Sequence, residues 1–303
     1  MKRVRHLGVG RELTIDDVAT PRAGATQLLI SVEAVGVTLP AVRRLDASTE
    51  PLPLAGEVCG TVLEIGSEVT GFGVGDLVTG LCFADAYAEQ AVLERAFASA
   101  VPSGATAADA IALVRSGLVA RGALEAATPS AGESIAVTAA ASGVGHIAVQ
   151  LAKALGANVI GAVSSSSKAD FVKGLGADAV CTYDEGPPAP VDAVLEGVGG
   201  EQVGRSIKWL APCGRLVFYG SGGGSINAFD LLDGNRSAVG FQVARVAREQ
   251  PERYAAWRDD LWRGYFARTL VPMVDRVYPL GEAAAAHERL LARANRGKVV
   301  LAP

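Results

Sequence analysis

The sequence predicts an α/β protein in which a doubly wound parallel sheet is joined to a mostly antiparallel, barrel-like β unit. Three observations carry that expectation. The N-terminal third sets β-branched runs between glycine turns and is nearly free of helical periodicity. Beyond Pro102, strands and helices alternate strictly, which requires crossover connections and a parallel sheet covered on both faces. The chain's 303 residues also exceed what one hydrophobic core usually organises, so two domains are expected.

Half of the residues are apolar and 20% are charged, which supplies a large core and excludes disorder. With 28 Lys+Arg against 32 Asp+Glu, the formal net charge is −4. No basic tract offers a footprint for nucleic acid, so nucleic acid is excluded as a partner. Residues 134–152 lack charge over nearly a membrane-spanning length, but Ser142, Gly143, Gly145 and His146 interrupt them. They read as a strand, a turn and a helix, and no membrane association is expected. Cys59, Cys82, Cys181 and Cys213 lie far apart, and no apolar run follows the basic start of the chain. A soluble cytoplasmic protein without disulfides is expected.

Taken in order, Gln27–Val37 and Glu57–Ile65 are strands, and the glycines at 66, 71, 73 and 75 turn the chain before a short strand from Asp76. Ala105–Leu124 has helical spacing. Strands follow at Ser134–Ala140, Asn158–Val163, Ala179–Tyr183, Val191–Val198 and Arg215–Tyr219. Helices stand between them at Gly143–Leu155, Lys168–Leu175 and Glu201–Leu210. The aromatic residues of 254–266 recur at helical spacing and read as a core-facing stripe. A helix at Glu282–Ala294 and a strand at Lys298–Leu301 close the chain.

The strongest chemical signal is the turn Ala140–Gly145, where a buried strand runs straight into an amphipathic helix. Ala141, Ser142, Gly143, Val144 and Gly145 are small or turn-forming. They let backbone N–H groups at a helix N-terminus approach a pyrophosphate, which the helix dipole also favours. Two of the three fingerprint glycines are replaced by small residues, and a tight turn that binds nothing is the plainer alternative. At the end of the next strand, where an NAD-selective chain offers a carboxylate to the ribose, this one has Ser164, Ser165 and then Lys168. Hydroxyls and an ammonium suit a 2′-phosphate, so NADPH is the expected cofactor; a solvated cation opening a helix is the alternative. Gly197 and Val198, and Gly220 and Ser221, follow later strands at the edge where ligands bind. His146 has no visible carboxylate partner and is given no catalytic role.

Several segments together resemble the medium-chain dehydrogenase/reductase superfamily. They are Leu54–Val69 with Phe72–Val78, Ala141–Ala157, Gly174–Asp178, Val191–Gly200 and Gly297–Leu301. Within it, the chain is most similar to the zinc-free quinone oxidoreductase and enoyl reductase branch. The resemblance implies a GroES-like catalytic domain over residues 1–106, completed by 250–303, and a Rossmann domain over 107–249. Zinc-dependent members place a Cys in the segment matching 37–40 and a His before the glutamate matching Glu57; this chain has no Cys there and Gly56. No metal is expected. Tyr183 matches a tyrosine near the adenine end of the cofactor, with core packing as the alternative. Thr38 and Val119 stand where the family usually has an Asn and a Thr near the nicotinamide, and Glu57 is a third candidate at the substrate site. No proton donor is identifiable.

The resemblance implies NADPH-dependent reduction of a quinone or another α,β-unsaturated carbonyl, with a small molecule as substrate and a homodimer as the assembly. Two alternatives stand beside it: a biosynthetic enoyl reductase acting on a polyketide-like intermediate, and a dinucleotide binder without catalysis.

Overall fold

The computed structural model describes residues 1–8, 10 and 12–303. The chain divides into two compact units, Met1–Arg115 with Met273–Pro303, and Ser116–Pro272.

The first unit holds β1 (Lys2–His6), β2 (Leu13–Asp17), β3 (Gln27–Val37), α1 (Leu39–Asp46), β4 (Gly56–Ile65), β5 (Leu77–Cys82), β6 (Gln90–Glu94) and β7 (Ala98–Ala100). The C-terminal segment adds β14 (Val274–Pro279), α9 (Ala283–Leu291) and β15 (Lys298–Ala302). Its main sheet runs in the order β14-β15-β3-β4-β5-β7, with β6 also on β3. All its pairings are antiparallel except that of β14 with β15. Alternate residues of β3 and β4, among them Leu28, Ile30, Val58 and Val62, meet Val42 and Leu45 of α1 and Ala286 and Leu290 of α9 in one core. Helix α1 falls where the sequence reading sees no helix. It is only eight residues long, carries a proline in its first turn, and buries just Val42 and Leu45, too short a pattern to register as a period.

The second unit begins within α2 (Ala107–Ala127) and continues through β8 (Ser134–Val137), α3 (Gly145–Ala154), β9 (Asn158–Val163), α4 (Ala169–Gly174), β10 (Ala179–Thr182) and β11 (Val191–Glu196). It ends with α5 (Glu201–Lys208), β12 (Leu210–Phe218), α6 (Ala228–Leu232), β13 (Ser237–Gly240), α7 (Val243–Glu249) and α8 (Pro251–Phe266). Its six strands are all parallel, in the order β10-β9-β8-β11-β12-β13. Numbered by their place in this unit, that is 3-2-1-4-5-6, the Rossmann order. The fold is thus a parallel Rossmann sheet with an antiparallel GroES-like unit, as the sequence predicts.

Residues 250–272 cluster with the parallel sheet and not with the first unit, to which the sequence reading assigns them. The physical reason is the packing of α8 on α2. A side chain at Gly117 would stand 2.7 Å from the methyls of Leu261. Glu125 accepts hydrogen bonds from Trp257 Nε1 at 2.9 Å and from the Arg253 guanidinium. The predicted stripe is a core face at Trp257, Leu261 and Trp262, which are buried, but not at its C-terminal end, where Tyr265 is half-buried and Phe266 is exposed as the helix runs out.

Arg215 on β12 ties the C-terminal end of α2 to the sheet. Its Nε donates to Ala127 O at 2.5 Å, and its Nη2 to Thr128 O at 3.2 Å and to the Glu133 carboxylate. That hydrogen bond holds the Glu133 carboxyl below the usual carboxylate range. A carboxylate with a lowered folded pKa contributes stability that is fully present above its unfolded value and is lost as pH falls through the folded one. Arg215→Ala leaves helix-end carbonyls unanswered and is expected to lower stability by about 2–3 kcal/mol at neutral pH. The stability gap between wild type and Glu133→Gln should narrow as pH falls below the ordinary glutamate pKa. Urea unfolding at a series of pH values measures both, and a gap that does not change with pH would count against the assignment.

Candidate functional site

Parallel strands bring all six carboxyl ends to one edge of the sheet, and the chain reverses its progression beside β8, between β9 and β11. This is the switch point at which open α/β sheets bind ligands. Thr138, fully buried just past β8, joins two strand ends there. Its N–H and its hydroxyl donate to Leu195 O at 3.0 and 3.2 Å, and the hydroxyl accepts from the Gly197 N–H at 2.8 Å. Ala140 N–H donates to Ala162 O at 3.1 Å, which secures the turn to β9 on the other side.

Ala139 reverses the chain at φ +49°. Ser142 then closes the turn: its N–H donates to Ala139 O at 2.8 Å, and its Oγ accepts from the Gly145 N–H at 3.0 Å. A Cβ on Gly145 would lie 2.1 Å from Ala139 O and 2.8 Å from Ala140 Cα, backbone atoms that cannot move aside. Only glycine lets α3 start this close to the strand end. Gly143 and Val144 are half-buried at the start of α3, and their N–H groups have no hydrogen-bond partner among the described residues. Two open donors at the positive end of a ten-residue helix, over a turn with almost no side chains, form a cradle that fits a pyrophosphate. His146 is fully buried with Nδ1 2.9 Å from Ser142 O, so it braces the turn.

At the end of β9, Ser164–Ser167 are exposed. Ser165 caps the following short turn, its Oγ accepting from the Ser167 N–H at 3.3 Å. Lys168 is only 8% exposed, which removes the alternative of a cation free in solvent. Tyr183 lies half-buried past β10 and packs against the core cluster around Cys181 and Ile160. Gly197–Gly200 and Gly220–Gly224, which follow β11 and β12, meet backbone to backbone. A Cβ on Gly199 would sit 2.6 Å from Gly222 Cα, and Gly200 N–H donates to Gly223 O at 2.9 Å. Val198 is half-buried and Ser221 exposed in these loops.

Glu196, to which the sequence reading gives no role, shapes the first of these loops. It is fully buried; Oε1 accepts from the Val198 and Gly199 N–H groups at 2.7 and 2.9 Å, and Oε2 from the Ser206 hydroxyl at 2.7 Å. A carboxylate directly before Gly-Val-Gly-Gly is the signal that could have found it, since four residues without side-chain anchors need a local acceptor. The Tyr219 hydroxyl is buried nearby without a partner among the described residues, and burial beside Glu196 and Tyr183 pushes its pKa up.

The three residues predicted near the substrate separate. Val119 is buried on α2 in the second unit. Thr38 and Glu57 lie in the first. Thr38 precedes α1 without capping it. Glu57 is buried, with Oε2 2.5 Å from Lys298 Nζ and Oε1 3.1 Å from Arg115 Nη1. Burial pushes the Lys298 pKa down, against the opposing pull of Glu57. Sequence reasoning misses Lys298 and Arg115 as partners because 241 and 58 residues separate them from Glu57. Burial raises the thiol of Cys59 to about 12, in keeping with an inert apolar side chain. Among the described residues, no group of three His, Cys, Asp or Glu is placed to hold a metal ion.

Residues 24–120 match the alcohol dehydrogenase GroES-like domain family, and residues 143–259 the zinc-binding dehydrogenase family. A quinone oxidoreductase of Pseudomonas aeruginosa is 34% identical over 275 residues, 84% of this chain and 82% of that one. A solved mycobacterial structure, Rv1454c complexed with NADPH, superposes with a TM-score of 0.92 at 30% identity, covering 100% of both chains. The spectinabilin polyketide synthase system protein NorB of Streptomyces orinoci is 31% identical over 95% of this chain, which spans 14% of that protein. The fold and these likenesses define a dehydrogenase/reductase built from a GroES-like unit and a Rossmann-like unit. The chain belongs to the medium-chain dehydrogenase/reductase superfamily, in its quinone oxidoreductase branch, and is an oxidoreductase.

Proposed function

We propose that the chain is an NADPH-dependent, zinc-independent oxidoreductase that reduces a quinone or another α,β-unsaturated carbonyl. The observation that carries this reading is the cradle at 139–145, set beside a strand end that offers Ser164, Ser165 and a buried Lys168 and no carboxylate. NADPH supplies the hydride. The Gly143 and Val144 N–H groups receive its pyrophosphate. Ser164, Ser165 and Lys168 hold the 2′-phosphate, Tyr183 flanks the adenine end, and Gly197, Val198, Gly220 and Ser221 form the floor along the sheet edge. Thr38 and Glu57 are the first unit's candidates for contact with substrate, and Val119 is the second unit's.

The likeness to a polyketide synthase protein favours one second reading, an enoyl reductase acting on a biosynthetic thioester. NADPH oxidation with a panel of quinones, enones and enoyl thioesters separates the two. Oxidation with none of them leaves a dinucleotide binder.

The same reading includes a homodimer through β13. Among the described residues that edge strand pairs only with β12, and all four of its residues are exposed. Light scattering at micromolar concentration should give the mass of two chains, and the mass of one chain would overturn this.

Cofactor choice is the sharper test. A charge-assisted contact to phosphate is worth about 1.5–3 kcal/mol, or roughly ten- to a hundredfold in affinity. Lys168→Ala should weaken NADPH by that factor and leave NADH nearly unchanged, while Ser164→Asp should reverse the preference. Dissociation constants from cofactor fluorescence decide it. Equal affinity of wild type for the two cofactors would refute the assignment.

A further inference from the structure

Ser142, His146 and Gln150 recur every four residues from the turn after β8 into α3. Residues four apart share a helix face, so they form one polar row beside the buried apolar Ile147, Ala148, Val149 and Ala152. His146 is fully buried, and a polar ring out of water needs its hydrogen bonds. Its Nδ1 lies 2.9 Å from Ser142 O; a carbonyl oxygen only accepts, so Nδ1 carries the proton. The His146 backbone N–H donates to the same oxygen at 3.1 Å. One residue thereby occupies both lone pairs of the Ser142 carbonyl.

The direction of that carbonyl decides the direction of the next N–H. The Ser142–Gly143 peptide is trans and planar, so its C=O and its N–H point opposite ways. Holding Ser142 O toward His146, along α3, turns the Gly143 N–H outward from the start of the helix. Gly143 has no Cβ and cannot set its own peptide planes, so the restraint has to come from a neighbour. Ser142 Oγ meanwhile takes the Gly145 N–H at 3.0 Å, and the Gly143 and Val144 N–H groups keep no partner among the described residues. Gln150 secures the helix behind this arrangement. Its Nε2 donates to His146 O and to Val271 O, both at 3.0 Å, and its Oε1 accepts from the Val271 N–H at 2.8 Å. All of these residues belong to the second unit.

We propose that His146 is a positioning residue for the cofactor: its Nδ1–H holds the Ser142 carbonyl and so aims the Gly143 N–H at the pyrophosphate. This rests on the NADPH reading above, in which the Gly143 and Val144 N–H groups receive that pyrophosphate. His146 acts through the backbone of residues 142 and 143, so its effect is confined to ligands that carry a pyrophosphate. A role in holding the fold alone would weaken every ligand of this unit alike.

The test measures dissociation constants for NADPH and for adenosine 2′-monophosphate, which carries the adenine and the 2′-phosphate but no pyrophosphate. His146→Leu removes the donor at similar volume, and His146→Asn returns an amide N–H close to the place of Nδ1. His146→Leu should weaken NADPH by about tenfold, the worth of one hydrogen bond, and leave adenosine 2′-monophosphate within about twofold. His146→Asn should bring NADPH back to within about threefold of wild type. Gln150→Leu loosens the same helix face without reaching Ser142, and the ratio of the two affinities should stay that of wild type. Unchanged NADPH binding in His146→Leu, equal weakening of both ligands, or the same selective loss in Gln150→Leu overturns the proposal. Should His146→Leu not fold, the ring nitrogen-15 shifts of wild type decide: a protonated Nδ1 supports the proposal and a bare Nδ1 overturns it. Wild type that binds neither ligand overturns the NADPH reading itself, and the role of His146 with it.

Discussion

The parallel-sheet unit depends on one steric constraint, the absence of a side chain at Gly145. The Ala139 carbonyl occupies the place a Cβ would take, 2.1 Å away. Because of that contact, α3 begins almost on top of the end of β8, and its first N–H groups face the sheet's carboxyl edge without intervening side chains. Ser142 and His146 hold the turn by hydrogen bonds to its own backbone. Thr138 and Ala140 fasten it to β11 and β9. The two open donors are therefore a consequence of packing: a turn this tight leaves N–H groups that no other described residue answers.

Buried charge follows the same logic of answered and unanswered groups. Glu196 has three donors and is complete, which makes it a scaffold for Gly197–Gly200. Glu57 has Lys298 and Arg115, and Lys298 alone gives it a buried counter-ion. A buried carboxylate is costly to desolvate unless both of its oxygens are answered, and here each has a cationic donor.

Much of this was legible in the sequence because local rules govern it. Strand and helix alternation beyond Pro102 predicts the parallel sheet, and Ala140–Gly145 predicts the tight turn between β8 and α3, since both depend on residues within a few positions of one another. Lys168 is found by its place after a strand, though its burial is not. Other features are set by partners distant in the chain. Residues 250–272 join the second unit because Leu261 meets Gly117 and Trp257 meets Glu125, contacts no local period contains. The Glu57–Lys298–Arg115 cluster joins three separate segments, and Glu57 alone carries no sign of its partners. Helix α1 escapes because it has only eight residues.

The nucleotide cradle proposed at 139–145 depends on the space left at Gly145. NADPH affinity of Gly145→Ala, measured by calorimetry on protein whose circular dichroism matches wild type, tests it most directly. The added methyl must displace the Ala139 carbonyl or the first turn of α3, and affinity should fall by about a hundredfold or more, the loss expected when about 3 kcal/mol of phosphate contacts are removed. NADPH binding to Gly145→Ala as tight as to wild type would contradict the account.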